Sequence, residues 1–133
     1  MKRVNPASLA KPSGFSHATV ATGTTVFLAG QTGMEVGGTI VDGGLVAQFE
    51  KALTNLLTAL AAAGGQPRDL ASMTVYIVDM DGYRARAREI GEVWKRLVGT
   101  EYPAMSGIGV SRLWDAQALV EVQGFAVLPE YRT

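Results

Sequence analysis

Glu121 and Gln123 stand two residues apart in the run Ala118-Leu119-Val120-Glu121-Val122-Gln123-Gly124-Phe125-Ala126-Val127-Leu128. Residues at i and i+2 of a strand point to one side, so the two share a face. A carboxylate there can act as a general base. A primary amide can orient a water by hydrogen bonds but cannot take its proton near neutral pH. Glu121 therefore has two readings, a base or a structural carboxylate at a subunit contact. His17 is the only histidine, and imidazole is the side chain that ordinarily titrates near neutrality. It follows Ser16, and regular alternation sends the two to opposite faces, whereas a bulge would bring both to one side. Asp79-Met80-Asp81 is the only close acidic cluster. Without a histidine beside it, it is a poor metal ligand set, and Asp81, ahead of a helix, reads as an N-cap. The stretch Tyr102-Pro103-Ala104-Met105-Ser106-Gly107 completes the set. Pro103 disfavours helix at the residue before it, and the small residues Gly107 and Gly109 leave room beside a sheet face.

These residues must be positioned by strands and helices that the hydrophobic pattern marks out. Residues 16–22 and 25–30 read as strands joined at Thr22-Gly23-Thr24, where Gly23 permits positive φ. Gly37-Gly38 and Gly43-Gly44 bracket a loose connection. Val46, Phe49, Leu53, Leu56, Leu57 and Leu60 recur at helical spacing until Gly64-Gly65 stops the helix. Residues 71–78 form a third strand. A second helix starts at Asp81-Gly82, with Tyr83, Ala87, Ile90, Trp94 and Leu97 on its buried stripe. Strands near 104–111 and 117–128 finish the chain. The order ββαβαββ predicts an α+β domain whose two helices pack on one face of the sheet. On the last strand Val120, Val122, Ala126 and Leu128 should meet the helices. The opposite face mixes Glu121 and Gln123 with Leu119, Phe125 and Val127, which a solvent-facing side would not carry. That second face predicts self-association through the sheet.

Composition narrows the function classes. The 133 residues suit one domain able to bury roughly two thirds of its unfolded surface. Twelve basic and twelve acidic residues give no net field to steer nucleic acid or an anionic membrane. With no cysteine, thiol nucleophiles, disulfides and thiolate metal sites are excluded together. Neither a signal peptide nor a membrane span is legible, and a cytoplasmic protein is expected.

The motifs Tyr102-Pro103-Ala104-x-Ser106, Arg112-Leu113 and Ala118-Leu119-Val120-Glu121-Val122-x-Gly124-Phe125-Ala126-Val127 resemble the C-terminal signature of the Rid (YjgF-type) family. Upstream, Gly14, Ala29-Gly30-Gln31, Ala61-Ala62-Ala63-Gly64 and Val75-Tyr76-Ile77-Val78-Asp79 agree in order, so the resemblance spans residues 1–133 as one Rid-like domain. It implies a chorismate-mutase-like fold and a homotrimer whose sheets enclose a central core, with ligand clefts between subunits. Only the resemblance supplies the number three. It also implies enamine or imine deamination, the activity of the family's best-characterised members.

The same resemblance places a cleft and marks this chain's departures within it. In deaminating members an arginine holds the substrate carboxylate at the position of Met105, by paired hydrogen bonds that a planar guanidinium forms well. A glutamate at the position of Gln123 positions or activates the attacking water, and a tyrosine at that of Ser16 lines the cleft beside the backbone around Gly30. Methionine cannot pair with a carboxylate, and an unpaired buried anion costs several kcal/mol. Met105 beside Gly107 and Gly109 otherwise reads as an apolar, adaptable wall. The candidate set is Gln123 and Glu121 for catalysis, and Ser16, His17, Gly30, Gln31, Met105, Ser106 and Gly107 for binding. No metal or organic cofactor is expected. Arg112 reads as a substitute cation or as a structural residue, and Trp114 as a cleft cap or an interface residue. Two functions follow: a deaminase-type hydrolase of altered specificity for a small molecule, or a non-catalytic trimer that binds a metabolite or serves as an interaction module. Nucleic-acid cleavage lacks the basic stripe and interleaved aromatics it would need.

Overall fold

The computed structural model describes residues 1–132. The chain opens with β1 (Lys2–Val4), which pairs antiparallel with β2 (Ala18–Val20) as a small separate sheet. Then come β3 (Thr24–Gln31), α1 (Gly44–Ala62), a 3₁₀ turn at Pro67–Asp69 and β4 (Leu70–Ile77). The rest is α2 (Met80–Ala85), α3 (Ala87–Leu97), β5 (Ala104–Gly109) and β6 (Val120–Leu128). The main sheet has the order β3-β6-β4-β5. β6 is antiparallel to both its neighbours, while β4 and β5 are parallel. A parallel pair needs a long crossover, and α2 and α3 supply it.

This is the expected α+β domain, with its mixed sheet and two main helices. α1 buries Phe49, Leu53, Leu56 and Leu60 against β3, β6 and α3. Gly64, at φ +91°, ends it, and the Gly65 N–H donates back to the Leu60 carbonyl at 2.9 Å. Val120, Val122 and Ala126 are fully buried on the helix side of β6, and Leu128 is half-buried. Gln48 is a buried polar residue of α1. Its amide accepts from the Leu119 N–H and donates to the Gln117 carbonyl, fixing the entry to β6.

Four expectations are corrected. The segment 16–22 is strand only at Ala18–Val20, and it pairs with β1 rather than forming a hairpin with β3. β1 was not foreseen, because Lys2-Arg3-Val4 is too short and too charged to show alternation. The second helix breaks at Arg86 (φ −109°, ψ 17°). Arg84 and Arg88 stand four apart there, a like-charge spacing that disfavours an unbroken helix. Ile90 and Trp94 are buried as expected, joined by Val93, while Ala87 is exposed. Finally, Asp79 rather than Asp81 caps α2, its Oδ1 accepting from the Gly82 N–H at 3.0 Å.

Candidate functional site

Residues 15–17 lie along the free edge of β5. The Ser16 N–H donates to the Pro103 carbonyl at 2.9 Å, which sets Ser16 beside Ala104 in a parallel bridge. Its hydroxyl donates to the Tyr102 carbonyl at 2.7 Å, and the residue is buried. The Tyr102 carbonyl also accepts from Arg3 Nε at 3.1 Å, and the Tyr102 ring stacks on that of Trp94 at 6.2 Å. The His17 N–H donates to Asn5 Oδ1 at 2.8 Å. Its Nε2 lies 2.7 Å from the Ala10 carbonyl. A carbonyl only accepts, so Nε2 carries the proton, and in the neutral ring Nδ1 is left as the acceptor. The Phe15 ring meets the imidazole edge-on at 5.1 Å.

A cavity of about 270 Å³ opens at this edge. Among the sequence candidates it gathers Ser16, His17, Met105 and Ser106, and it adds Phe15, Ser72 and Thr74. Its polar side chains are hydroxyls and one imidazole, with no guanidinium, ammonium or carboxylate among the lining residues. Gly30, Gln31, Gly107, Glu121 and Gln123 lie outside it.

Sheet register explains the division. Met105 pairs with buried Met73, and Ser106 pairs with Thr74. Registered neighbours share a face, so Met105 sits on the helix side, packed against the core, and Ser106 on the other side. Gly107 and Gly109 follow Met105: a Cβ at Gly107 would come 3.5 Å from Ile77 Cδ1. On the outer face Gln123 registers with Thr74, which in turn registers with Ser106. Glu121 registers with Tyr76. Glu121 and Gln123 thus share the outer face, on the opposite side of the sheet from Met105.

Two contacts define what that face offers. The Tyr76 hydroxyl donates to Gln123 Oε1 at 3.3 Å, which leaves the amide N–H₂ as the outward group, a donor rather than an acceptor. Glu121 lies across Gly30, where a Cβ would fall 2.5 Å from its carboxylate oxygen. Gly30 sits in a register shift between Leu28 and Gln31, after which Gln31 pairs with Val122. Further along, Phe27 and Phe125 meet edge to face at 5.4 Å, with Phe27 76% and Phe125 40% exposed. Arg112 turns back onto its own chain, donating to the Leu113 and Trp114 carbonyls, and Trp114 is exposed. Thr74 and Tyr76 were not among the sequence candidates. Their signal was present, since they alternate with Met73, Val75 and Ile77 on β4.

Known proteins share this architecture. The family model described as Endoribonuclease L-PSP matches residues 6–128. The RutC family protein UK114 of Drosophila melanogaster is 31% identical, over 99% of this chain and 93% of its own length. A protein of Dermatophagoides farinae named 2-iminobutanoate/2-iminopropanoate deaminase is 30% identical, over 96% of this chain and 97% of its own. Among solved structures, YyfB of Yersinia pestis, a member of the conserved Rid protein family, superposes with a TM-score of 0.82 at 33% identity, covering 96% of this chain and 98% of that one. TdcF of E. coli, solved with bound serine, gives 0.69 at 26% identity over 93% of each chain. With matches that run through both sheets and both helices, this chain belongs to the Rid family.

Proposed function

We propose that this protein is a cofactor-free hydrolase of imines or enamines, working in the cytoplasm as a homotrimer with its sites between subunits, on substrates that lack the carboxylate held by an arginine clamp. The observation that carries this reading is the uncharged lining of the cavity at the β5 edge. A carboxylate placed there would lose water and gain no cation, at a cost of several kcal/mol. Hydroxyls and an imidazole suit a neutral, hydrogen-bonding ligand. The reaction adds water across a C=N bond: the water oxygen bonds to carbon, its protons pass to nitrogen, and the nitrogen leaves as ammonia. Gln123 orients the water through its N–H₂ group, and Glu121 on the same face accepts the proton.

Gln123 lies outside the cavity that Met105 lines, and in this reading a second chain completes a cleft that brings the two positions together. The exposed Phe27–Phe125 pair on the outer face gives that chain an apolar surface to cover. The relative TdcF holding serine supports a small-molecule ligand.

A second reading, a trimer that binds a metabolite without turning it over, is favoured by one feature. Inside the cavity the Ser16 hydroxyl hydrogen is spent on Tyr102, His17 Nε2 is spent on Ala10, and no carboxylate is present.

One experiment separates the two. Imines are generated in situ, carboxylated ones by an amino-acid oxidase and uncharged ones by an amine oxidase, and ammonia release is followed with wild type and with the double variant Met105→Arg, Gln123→Glu. Wild-type acceleration confined to uncharged imines is the expected result. A wild type inert on both classes refutes the enzyme and leaves the binder. Gain of activity on carboxylated imines by the double variant alone locates the lost clamp at these two positions.

A further inference from the structure

A second cavity, of about 310 Å³, lies where β1, the 3₁₀ turn and the segment after β6 converge. The chain as a whole is electrically balanced, but this cavity is not. Arg3, Arg68 and Arg132 line it against the two carboxylates Asp69 and Glu101.

Those carboxylates are unevenly committed. Asp69 is buried and uses both oxygens on Arg132, at 3.2 and 2.6 Å, while Oδ2 also accepts the Gln66 N–H at 2.7 Å. Burial alone would raise its carboxyl, and the Arg132 and Gln66 hydrogen bonds outweigh that and hold it below the usual carboxylate range. The charge of Arg68 nearby lowers it further, without a direct ion pair. Glu101, largely exposed, stands 3.9 Å from Arg3, too far for a hydrogen bond and in a setting where such pairs contribute little.

Of the other two guanidinium groups, that of Arg3 is held but not neutralised. Arg3, mostly buried, donates to the Tyr102 carbonyl at 3.1 Å and to the Arg68 carbonyl at 3.2 Å. Carbonyl partners fix the plane of its fork without cancelling the charge. The Arg68 guanidinium has no ion-pair partner among the described residues. The Arg3–Arg68 bond sets the two residues side by side on the cavity wall.

We infer that this cavity is a second ligand site, separate from the cleft, which takes a small oxyanion, a phosphate or carboxylate group, between Arg3 and Arg68. Arg3 supplies a positive charge fixed in place by its two carbonyl contacts, and Arg68 supplies a guanidinium whose N–H groups are free to pair with the oxygens of such a group. The site does not depend on the proposed hydrolase activity, since none of its residues lines the cavity at the β5 edge. A single atom joins the two, for the Tyr102 carbonyl accepts from both Arg3 and Ser16.

The test is a titration of ¹⁵N-labelled protein at low ionic strength with inorganic phosphate, with succinate and with glycerol as the neutral control, followed by amide chemical shifts. Saturable shifts centred on Arg3, Arg68 and Asp69 are expected with at least one anion and not with glycerol, and the preferred anion names the group. Arg68→Ala is the decisive variant, because the side chain it removes makes no bond among the described residues, so the fold is kept. It should weaken binding about tenfold, the scale of one lost charge-assisted contact. Three results would each overturn the site: shifts that stay linear into the tens of millimolar, an affinity unchanged in Arg68→Ala, or shifts centred on Ser16 and Ser106.

Discussion

Replacing Ser16 by alanine tests whether that hydroxyl is a structural tie. Its oxygen donates to the Tyr102 carbonyl at 2.7 Å from a buried position. The carbonyl keeps a second donor, Arg3 Nε at 3.1 Å, so the single variant loses one hydrogen bond without orphaning its acceptor. That loss costs about 1 kcal/mol, which for a chain of 133 residues lowers the thermal midpoint by about 3–4 °C. In an Arg3→Ala background the same change removes the last donor. The Tyr102 carbonyl then goes unpaired beside the stacked Trp94 and Tyr102 rings, and a buried unpaired acceptor adds ~1–3 kcal/mol. A four-member cycle of wild type, two singles and the double, unfolded by urea at one protein concentration, should therefore show a non-additive term of about 1 kcal/mol or more. Additivity within ~0.3 kcal/mol, together with a negligible cost for Ser16→Ala alone, would refute the tie and free Ser16 for a ligand.

Other perturbations address the core and the outer face. Burial pushes the Tyr83 hydroxyl from 10.0 up to about 12. A folded value raised above the unfolded one means its contribution is whole below pH 10 and is lost as pH rises through 12. Wild type should lose at most about 2.7 kcal/mol across that window from this group, a loss Tyr83→Phe should escape in urea melts at pH 9 and pH 12. Gly124→Ala would bring a Cβ to 2.7 Å from the Ser72 carbonyl and 2.8 Å from Met73 Cγ in mid-sheet. It should destabilise by ~1–3 kcal/mol, and a neutral effect in the same melts would contradict the close approach. Phe27→Glu places charge on the exposed aromatic pair. It should convert the proposed trimer to monomer in sedimentation without loss of helical circular dichroism, and a trimer that persists would mean chains associate elsewhere.

What the sequence reveals here follows from where its periodicity is clean. α1 shows a helical repeat undisturbed by charge, and β6 alternates so regularly that its helix-facing side could be named residue by residue. The failures occur where local signals are short or compete. β1 is three residues with two positive charges, and its pairing depends on a partner fourteen or more residues away. The break at Arg86 leaves no mark in the apolar stripe. The site was partly legible for the same reason. Ser16, Met105 and Ser106 were placed by a motif, and strand alternation sends Met105 and Ser106 opposite ways, but which of the two faces the helices follows only from the register of β5 on β4. Thr74 and Tyr76 sit on a strand whose alternation shows only that one face is polar, and a hydroxyl there does not by itself mark a site.

The two departures at Met105 and Gln123 are better understood together than singly. Against the pattern the resemblance implies, one removes a positive charge and the other a negative charge. A cleft that loses only its arginine would leave a carboxylate on the outer face without a nearby cation, and one that loses only its glutamate would leave a guanidinium to be desolvated alone. Each is a costly state in a partly enclosed site. In the proposed cleft, losing both removes one charge of each sign and leaves the net charge unchanged. The Tyr76 hydroxyl, able to donate to a carboxylate or an amide alike, fixes Gln123 with its N–H₂ outward. A single reversion therefore restores a charge without its counterpart and should serve poorly as a control. Only the pair, Arg at 105 with Glu at 123, restores both charges, and that makes the double variant the one able to tell a changed substrate from a lost activity.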